Sequence, residues 1–327
     1  MDRKLFLYIL LILLLLSACS SKKQVNFKLT EIDSYKISKK YLPEIGMIFM
    51  DDFDKEKKVI FTSKGWLLII KESDFKIIEK IKLKKGKGPG EYNNITGVFI
   101  KNNNIYLYDH TLKRFLIIKY DKNLKVYDTA NLDIPVNIGV TDFNDKFAIN
   151  TFRRGKKGNV DLYLTILDNK LKTYSKILID DISFDNRKEI VNTIGWPLIN
   201  NNKIYYTSMG NGQVKIFEYK SGKFIDKFYN SNKEQHISYK HPNVNVLPPV
   251  FIMRKYLLIV YNNRNNKKLK NKLYYEIFDK RGNLLDEGIT NINFRTSNNS
   301  FSFQNDFFYC YDSENEILKV YEYQINK

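Results

Sequence analysis

The sequence predicts an all-β chain: a six-bladed β-propeller of four-stranded blades, with an N-terminal strand closing the last blade. Three observations carry that expectation. Helical periodicity is nearly absent beyond residue 25, short runs of Ile, Val, Tyr, Phe and Leu alternate with Asn, Asp, Gly and Lys clusters, and one strand–turn–strand phrase recurs along the chain.

The phrase is clearest at 105–109, 114–121 and 123–127. It returns at 203–206, 214–219 and 222–225, and again at 256–260, 273–279 and 282–285. Weaker copies begin near Val59, Lys146 and Phe307. Starts near residues 58, 104, 146, 203, 256 and 307 give spacings of 46, 42, 57, 53 and 51, close to one four-stranded blade each. A further short strand precedes several copies, at 96–100, 139–143, 250–253 and 300–303.

The two ends complement each other. The last copy stops after its third strand, 317–323, while the strand 25–37 has no partner of its own. Pairing them completes the sixth blade and removes sheet edges that invite aggregation. A β-sandwich or an open β-solenoid would use the same strands.

The first residues carry an address. Arg3 and Lys4 precede an unbroken apolar run of twelve residues, Leu5 to Leu16, followed by Ser17, Ala18 and Cys19. That is the layout of a secretory signal, and the run is short for a membrane-spanning helix. Leu16-Ser17-Ala18-Cys19 resembles the lipobox of bacterial lipoproteins. The resemblance implies acylation of the Cys19 thiol, cleavage before it, and attachment to a membrane by lipid chains. A plain signal peptide or an anchor helix with an incidental cysteine fits the same residues. The expected division is a signal peptide over 1–18, a lipidated tether over 19–24 and a propeller domain over 25–327.

Cys310 is the one other cysteine, so no internal disulfide is expected; within Phe307-Phe308-Tyr309-Cys310-Tyr311 it reads as a small buried hydrophobe. The net charge of +18 favours anionic partners in general, but Lys, Asn, Ile, Tyr and Phe are all abundant, a pattern of biased codon usage that spreads lysines over a surface. No run interleaves Arg with aromatics, and export argues against a nucleic-acid partner.

The most distinctive segment is Lys85-Gly86-Lys87-Gly88-Pro89-Gly90-Glu91-Tyr92, between the last strand of one copy and the first of the next. Its G-x-G-P-G-E-Y form resembles the signature of six-bladed β-propeller lipoproteins common in Bacteroidetes, themselves similar to NHL-repeat propellers. That resemblance covers the chain from Val25 onwards and implies the fold and the envelope location. It implies no defined chemistry. The residues themselves suit an architectural loop, with Pro89 stiffening a turn and Glu91 placed to accept backbone N–H bonds or to pair with a lysine. No helix follows, so the phosphate-cradling reading of a glycine-rich loop fails.

In propellers, the second-to-third-strand turns and the blade-to-blade connections share one face. Here that face would carry 86–92, 109–114, 152–159, 208–213 and 261–272. Two of these loops are basic, one with Arg153 and Arg154, the other with Lys268, and together they predict an electropositive rim for an anionic or acidic ligand. Solvated surface lysines give the same sequence. Trp196 sits in a long connection, where its ring could stack on a sugar or fill the blade packing.

His236 and His241 are five apart and share no face, and no cysteine or carboxylate set joins them, so no metal site is expected there. His110 beside Asp109 reads as a turn element. No GxSxG or HExxH pattern occurs, and the inner-strand candidates for a channel metal, Asp142, Asn144 and Asn200, are not at equivalent positions. The expected function is a membrane-anchored binding or scaffolding module for a glycan, peptide or partner protein. The expected place is the outer membrane, facing the periplasm, or the cell surface. No cofactor is implied. The alternative is a metal-dependent propeller hydrolase or lyase with a divalent ion at the channel mouth.

Overall fold

The computed structural model describes residues 26–42, 46–120, 124–132, 136–143, 146–154, 159–168, 170–182, 195–200, 203–208, 214–220, 223–228, 244–253, 256–263, 272–279, 284–293, 299–304 and 307–326. These residues form 25 strands in six sheets and no helix.

The first sheet is an antiparallel meander of β3 (Phe49–Asp52), β4 (Lys57–Phe61), β5 (Trp66–Lys71) and β6 (Ile77–Lys82). The second contains β7 (Ile95–Lys101), β8 (Asn104–Asp109), β9 (Arg114–Tyr120) and β10 (Leu124–Asn131). The third contains β11 (Val136–Phe143), β12 (Lys146–Arg154), β13 (Val160–Leu167) and β14 (Thr173–Ile182). The fourth contains β15 (Gly195–Asn200), β16 (Lys203–Ser208), β17 (Val214–Lys220) and β18 (Lys223–Phe228). The fifth contains β19 (Val244–Met253), β20 (Tyr256–Asn263), β21 (Lys272–Asp279) and β22 (Leu284–Asn293). The repeat starts fall on β4, β8, β12, β16 and β20, the second strand of each of these five sheets, and on β24 of the sixth.

The sixth sheet joins both ends of the chain. Its order is β1 (Asn26–Lys36), β25 (Ile317–Asn326), β24 (Phe307–Asp312), β23 (Asn299–Gln304) and β2 (Gly46–Met47). β1 runs antiparallel to β25, from Asn26 opposite Asn326 to Lys36 opposite Ile317, with an irregularity at 31–33. β2 adds to the other edge, parallel to β23. The N-terminal segment therefore clasps the C-terminal strands from both sides. The buried Tyr311 hydroxyl donates to the Ile37 carbonyl at 2.9 Å, and the Ile37 amide donates to the Glu316 carbonyl at 2.9 Å.

Why the strand runs are almost purely apolar follows from burial on both faces. In β4 and β5, Val59, Phe61, Leu67 and Ile69 pack against the second sheet, while Ile60, Leu68 and Ile70 pack against the sixth. The same alternation continues. Phe99, Tyr108 and Phe115 meet Phe147, Ile149 and Leu167 of the third sheet, and Ala148, Leu162, Leu164 and Ile166 meet Ile204 and Tyr206 of the fourth. Phe27 of β1 lies 4.6 Å from Tyr275 of β21, ring centre to ring centre, joining sixth and fifth sheets. Contacts run from each sheet to the next, and from the sixth to the first through β23 and β3. Each fully buried Leu, Ile or Phe in this stacking contributes roughly 1.5–3 kcal/mol.

Candidate functional site

Within each antiparallel sheet, the second-to-third-strand turn and the connection to the next sheet lie at the same strand ends, which is where the candidate residues gather. The motif loop leaves β6 and enters β7. Its neck is a parallel bridge between Lys85 and Tyr92, with the Gly86 amide donating to the Tyr92 carbonyl at 2.8 Å and the Tyr92 amide to the Lys84 carbonyl at 3.0 Å. Glu91 folds back inside it. The Gly88 amide donates to its carboxylate at 2.8 Å, and Lys84 pairs with the other oxygen at 2.6 Å. The Lys84 bond, then the Gly88 amide, hold this carboxyl below its ordinary range.

Space explains the glycines. A Cβ on Gly86 would stand 2.1 Å from the Glu91 carboxylate, and Gly90 has a φ of 72°. Tyr92 is buried, edge-on to Phe61 at 5.5 Å, and its hydroxyl closes over Gly65.

A second strand pair fixes the loop from below. Arg114, 8% exposed at the start of β9, donates from Nη2 to the carbonyls of Gly88 (2.9 Å) and Glu91 (2.7 Å) and from Nη1 to Lys87 (3.4 Å). Opposite it in register, fully buried Asp109 accepts the amides of Asn93 (2.5 Å), Asn94 (3.3 Å), Thr111 (3.1 Å) and Leu112 (3.0 Å). His110 sits in the turn with Nδ1 at 3.3 Å from the Asn94 side-chain amide. The motif loop's polar groups are thus largely engaged by the protein itself, which suits a structural joint between two sheets.

Other candidates lie elsewhere than the sequence pattern suggests. Arg153 and Arg154 are the last residues of β12, in register with Asp161 and Val160, so the turn there is shorter than the expected 152–159 loop. The β-branched and aromatic run extends the hairpin past the first arginine. Trp196 belongs to β15, opposite Thr207, rather than to the preceding connection. Cys19, Lys268, His236 and His241 lie outside the described residues. Cys310 is buried at 4% exposure. Among the described residues no group of three or more His, Cys, Asp or Glu converges as a metal site would require.

Two features escape the sequence. The first is an ion cluster around a buried lysine between first and sixth sheets: Lys58, 2% exposed, bonds the half-exposed Asp52 at 2.5 Å and Glu72 at 2.9 Å beside Tyr309. Burial opposes its charge, yet those two carboxylates outweigh it and hold the ammonium above the ordinary lysine range. Burial also pushes the Tyr309 phenol up to about 12. The cluster reads as a structural pin, since its one ammonium is held by both carboxylates.

The second lies at the surface, around two half-buried rings. Tyr41, in the turn after β1, meets Trp66 of β5 edge-on at 5.2 Å. Lys80 of β6 donates to the Tyr41 hydroxyl at 2.9 Å, and Lys82 lies 5.1 Å over the Trp66 ring. Lys40 stands 5.7 Å from the centre of the Tyr41 ring, and Lys64 donates to the Lys39 carbonyl at 2.5 Å. Five lysines surround two rings, and among the described residues none of the five is in an ion pair with a carboxylate side chain. The bond from Lys80 lowers the Tyr41 phenol pKa, a local sign of the positive field. In sequence these residues are scattered over 39–82, and only the meeting of first and sixth sheets collects them.

No family model matches the chain, and no curated protein matches it. Solved structures do. A Bacteroides fragilis protein described as exported aligns with a TM-score of 0.60 at 11% identity, over 94% of this chain and 97% of that one. The β-propeller domain of Cps50 (Swd1) from Myceliophteria thermophila aligns at 0.52 and 9% identity, over 90% and 99%. Chaetomium thermophilum Raptor aligns at 0.52 and 9% identity, over 91% of this chain and 29% of its own length. At such identities the likeness speaks to fold alone, and the fold is that of a β-propeller.

Proposed function

We propose that the chain is a lipid-anchored scaffolding module: six blades closed by β1, tethered through Cys19 to the outer membrane on its periplasmic side, and binding a macromolecular partner at the strand ends that carry the motif loop. The single observation supporting this is the pairing of an internally locked loop with lysines around Tyr41 and Trp66 that meet no carboxylate side chain among the described residues. A rigid frame with pre-positioned charge favours recognition, because little side-chain freedom remains to be lost on binding. The exported Bacteroides fragilis neighbour is compatible with an envelope location.

The test uses the full chain in a Gram-negative host fed an alkynyl fatty acid. Labelling and membrane retention are expected for the wild type and absent in Cys19→Ala. Photo-crosslinker placed at Lys64 or Lys113 should give discrete adducts, and placed at Lys172 should give none. Unlabelled wild type removes the anchor, and adducts that do not depend on position remove the binding face.

A further inference from the structure

We propose that the groove between the turn after β1 and the edge strand β6 holds an extended acidic segment of a partner protein, its carboxylates meeting Lys80, Lys82, Lys39, Lys40 and Lys64. This rests on the binding-module reading and names its partner chemistry.

The groove is built by two sheets. Tyr35 of β1 stacks on Phe75 at 4.3 Å, and Tyr41, Trp66 and Ile77 pack against the core cluster shared by first and sixth sheets. β6 is the outer strand of its sheet, and its Lys80 and Lys82 are in register with Leu68 and Trp66, so both side chains point to the sixth sheet. Both are exposed. Alternate residues on a strand repeat at about 6.8 Å, which is also the repeat of same-side carboxylates on an extended peptide. Among the described residues, three carboxylates of the neighbouring segments have partners of their own: Asp33 accepts from Tyr35 and the Ser34 amide, Asp74 from the Lys76 amide, and Glu316 from the Lys39 amide.

Competing occupants fit less well. A sugar needs a free aromatic face, and here Lys82 covers Trp66 while Lys80 and Lys40 stand over Tyr41. A bilayer would need the groove near the anchor. β1 has 11 residues and spans roughly 35 Å, with the tether at its Asn26 end and the groove at its Lys36 end. A tether from Cys19 to Val25 extends roughly 24 Å at most, leaving the groove turned from the membrane that anchor would use.

The experiment measures fluorescence anisotropy of a labelled alternating Glu-Ser peptide with the full chain anchored in neutral phosphatidylcholine vesicles, against polygalacturonate and phosphatidylglycerol vesicles as competitors. Saturable binding is expected, weakening at least tenfold in Lys80→Glu/Lys82→Glu and recovering in Lys80→Arg/Lys82→Arg. Lys119→Glu/Lys125→Glu, in the second sheet, should bind as the wild type, and thermal melts verify folding of each variant. Equal binding by wild type and Lys80→Glu/Lys82→Glu overturns the site. Tighter capture of the polysaccharide or the phosphatidylglycerol vesicles, lost in the same variant, overturns the acidic-peptide assignment. Should the peptide fail while position-dependent photo-adducts persist, the groove falls and the binding module stands; if both fail, both fall.

Discussion

The guanidinium of Arg114 donates at 2.7 Å to the main-chain carbonyl of Glu91, so a residue of β9 holds the conformation of a loop that leaves a different sheet. A forked donor can serve the Gly88 and Glu91 carbonyls together, and an ammonium cannot reproduce that geometry. Arg114→Lys should therefore lower stability by roughly 1–3 kcal/mol, the cost of leaving these half-buried carbonyls short of partners. Urea unfolding reads the change, and an unshifted midpoint would mean that the loop holds its shape without the arginine.

Gly65 combines a φ of 79° with a close roof: a Cβ there would stand 2.4 Å from the Tyr92 hydroxyl. Gly65→Ala should cost at least about 1–2 kcal/mol through backbone strain, by the usual order of magnitude for a left-handed L-residue. The contact should add more. In a Tyr92→Phe background the oxygen is gone, so the two substitutions should cost less together than the sum of each alone. Additive effects in a double-mutant cycle would assign the whole penalty to backbone.

How far sequence alone reaches can be judged from particular elements. β1 is legible because the last copy of the repeat lacks a fourth strand and the chain offers a spare one; its pairing with β25 is what the structure has. The two-residue β2 carries no periodic signal and cannot be found that way. Glu91 is legible as an internal acceptor because three glycines around a proline leave a short loop little else to bond. The role of Arg114 is not, although an arginine opening the apolar run Phe115-Leu116-Ile117-Ile118, five residues after an aspartate, is a charge the core must somehow satisfy. The lysine groove is hidden for a different reason. Its members are ordinary lysines in a lysine-rich chain, and only the neighbouring of first and sixth sheets makes them a site.

Closure by β1 should dominate the stability of the sixth sheet. Leu29 is 1% exposed and sits opposite Tyr323, whereas Ile32 at the strand irregularity is 50% exposed. Leu29→Ala should cost about 2–5 kcal/mol and Ile32→Ala less than about 0.5 kcal/mol. Limited proteolysis should also cut within 299–326 faster in the Leu29 variant. Equal cutting of both variants would show that β1 is an ornament on a sheet that stands without it.

Glu276 gives the molecule a signed pH dependence. It is 3% exposed in β21, opposite Glu287 of β22, and burial, assisted by that second carboxylate, pushes its pKa from 4.5 up to about 7. Below pH 4.5 the group is protonated folded or unfolded, and contributes no pH dependence. Between 4.5 and about 7 the folded state keeps a proton that the unfolded state releases, so rising pH favours unfolding. One proton released over one pH unit is worth about 1.4 kcal/mol, so stability should fall by roughly 3 kcal/mol across that window and then level off. Glu276→Gln keeps the shape without the charge, so it should match the wild type at pH 4 and exceed it at pH 8. Urea midpoints at pH 4, 6 and 8 decide the matter: parallel curves for the two proteins would mean that Glu276 ionises in the folded state as readily as in water.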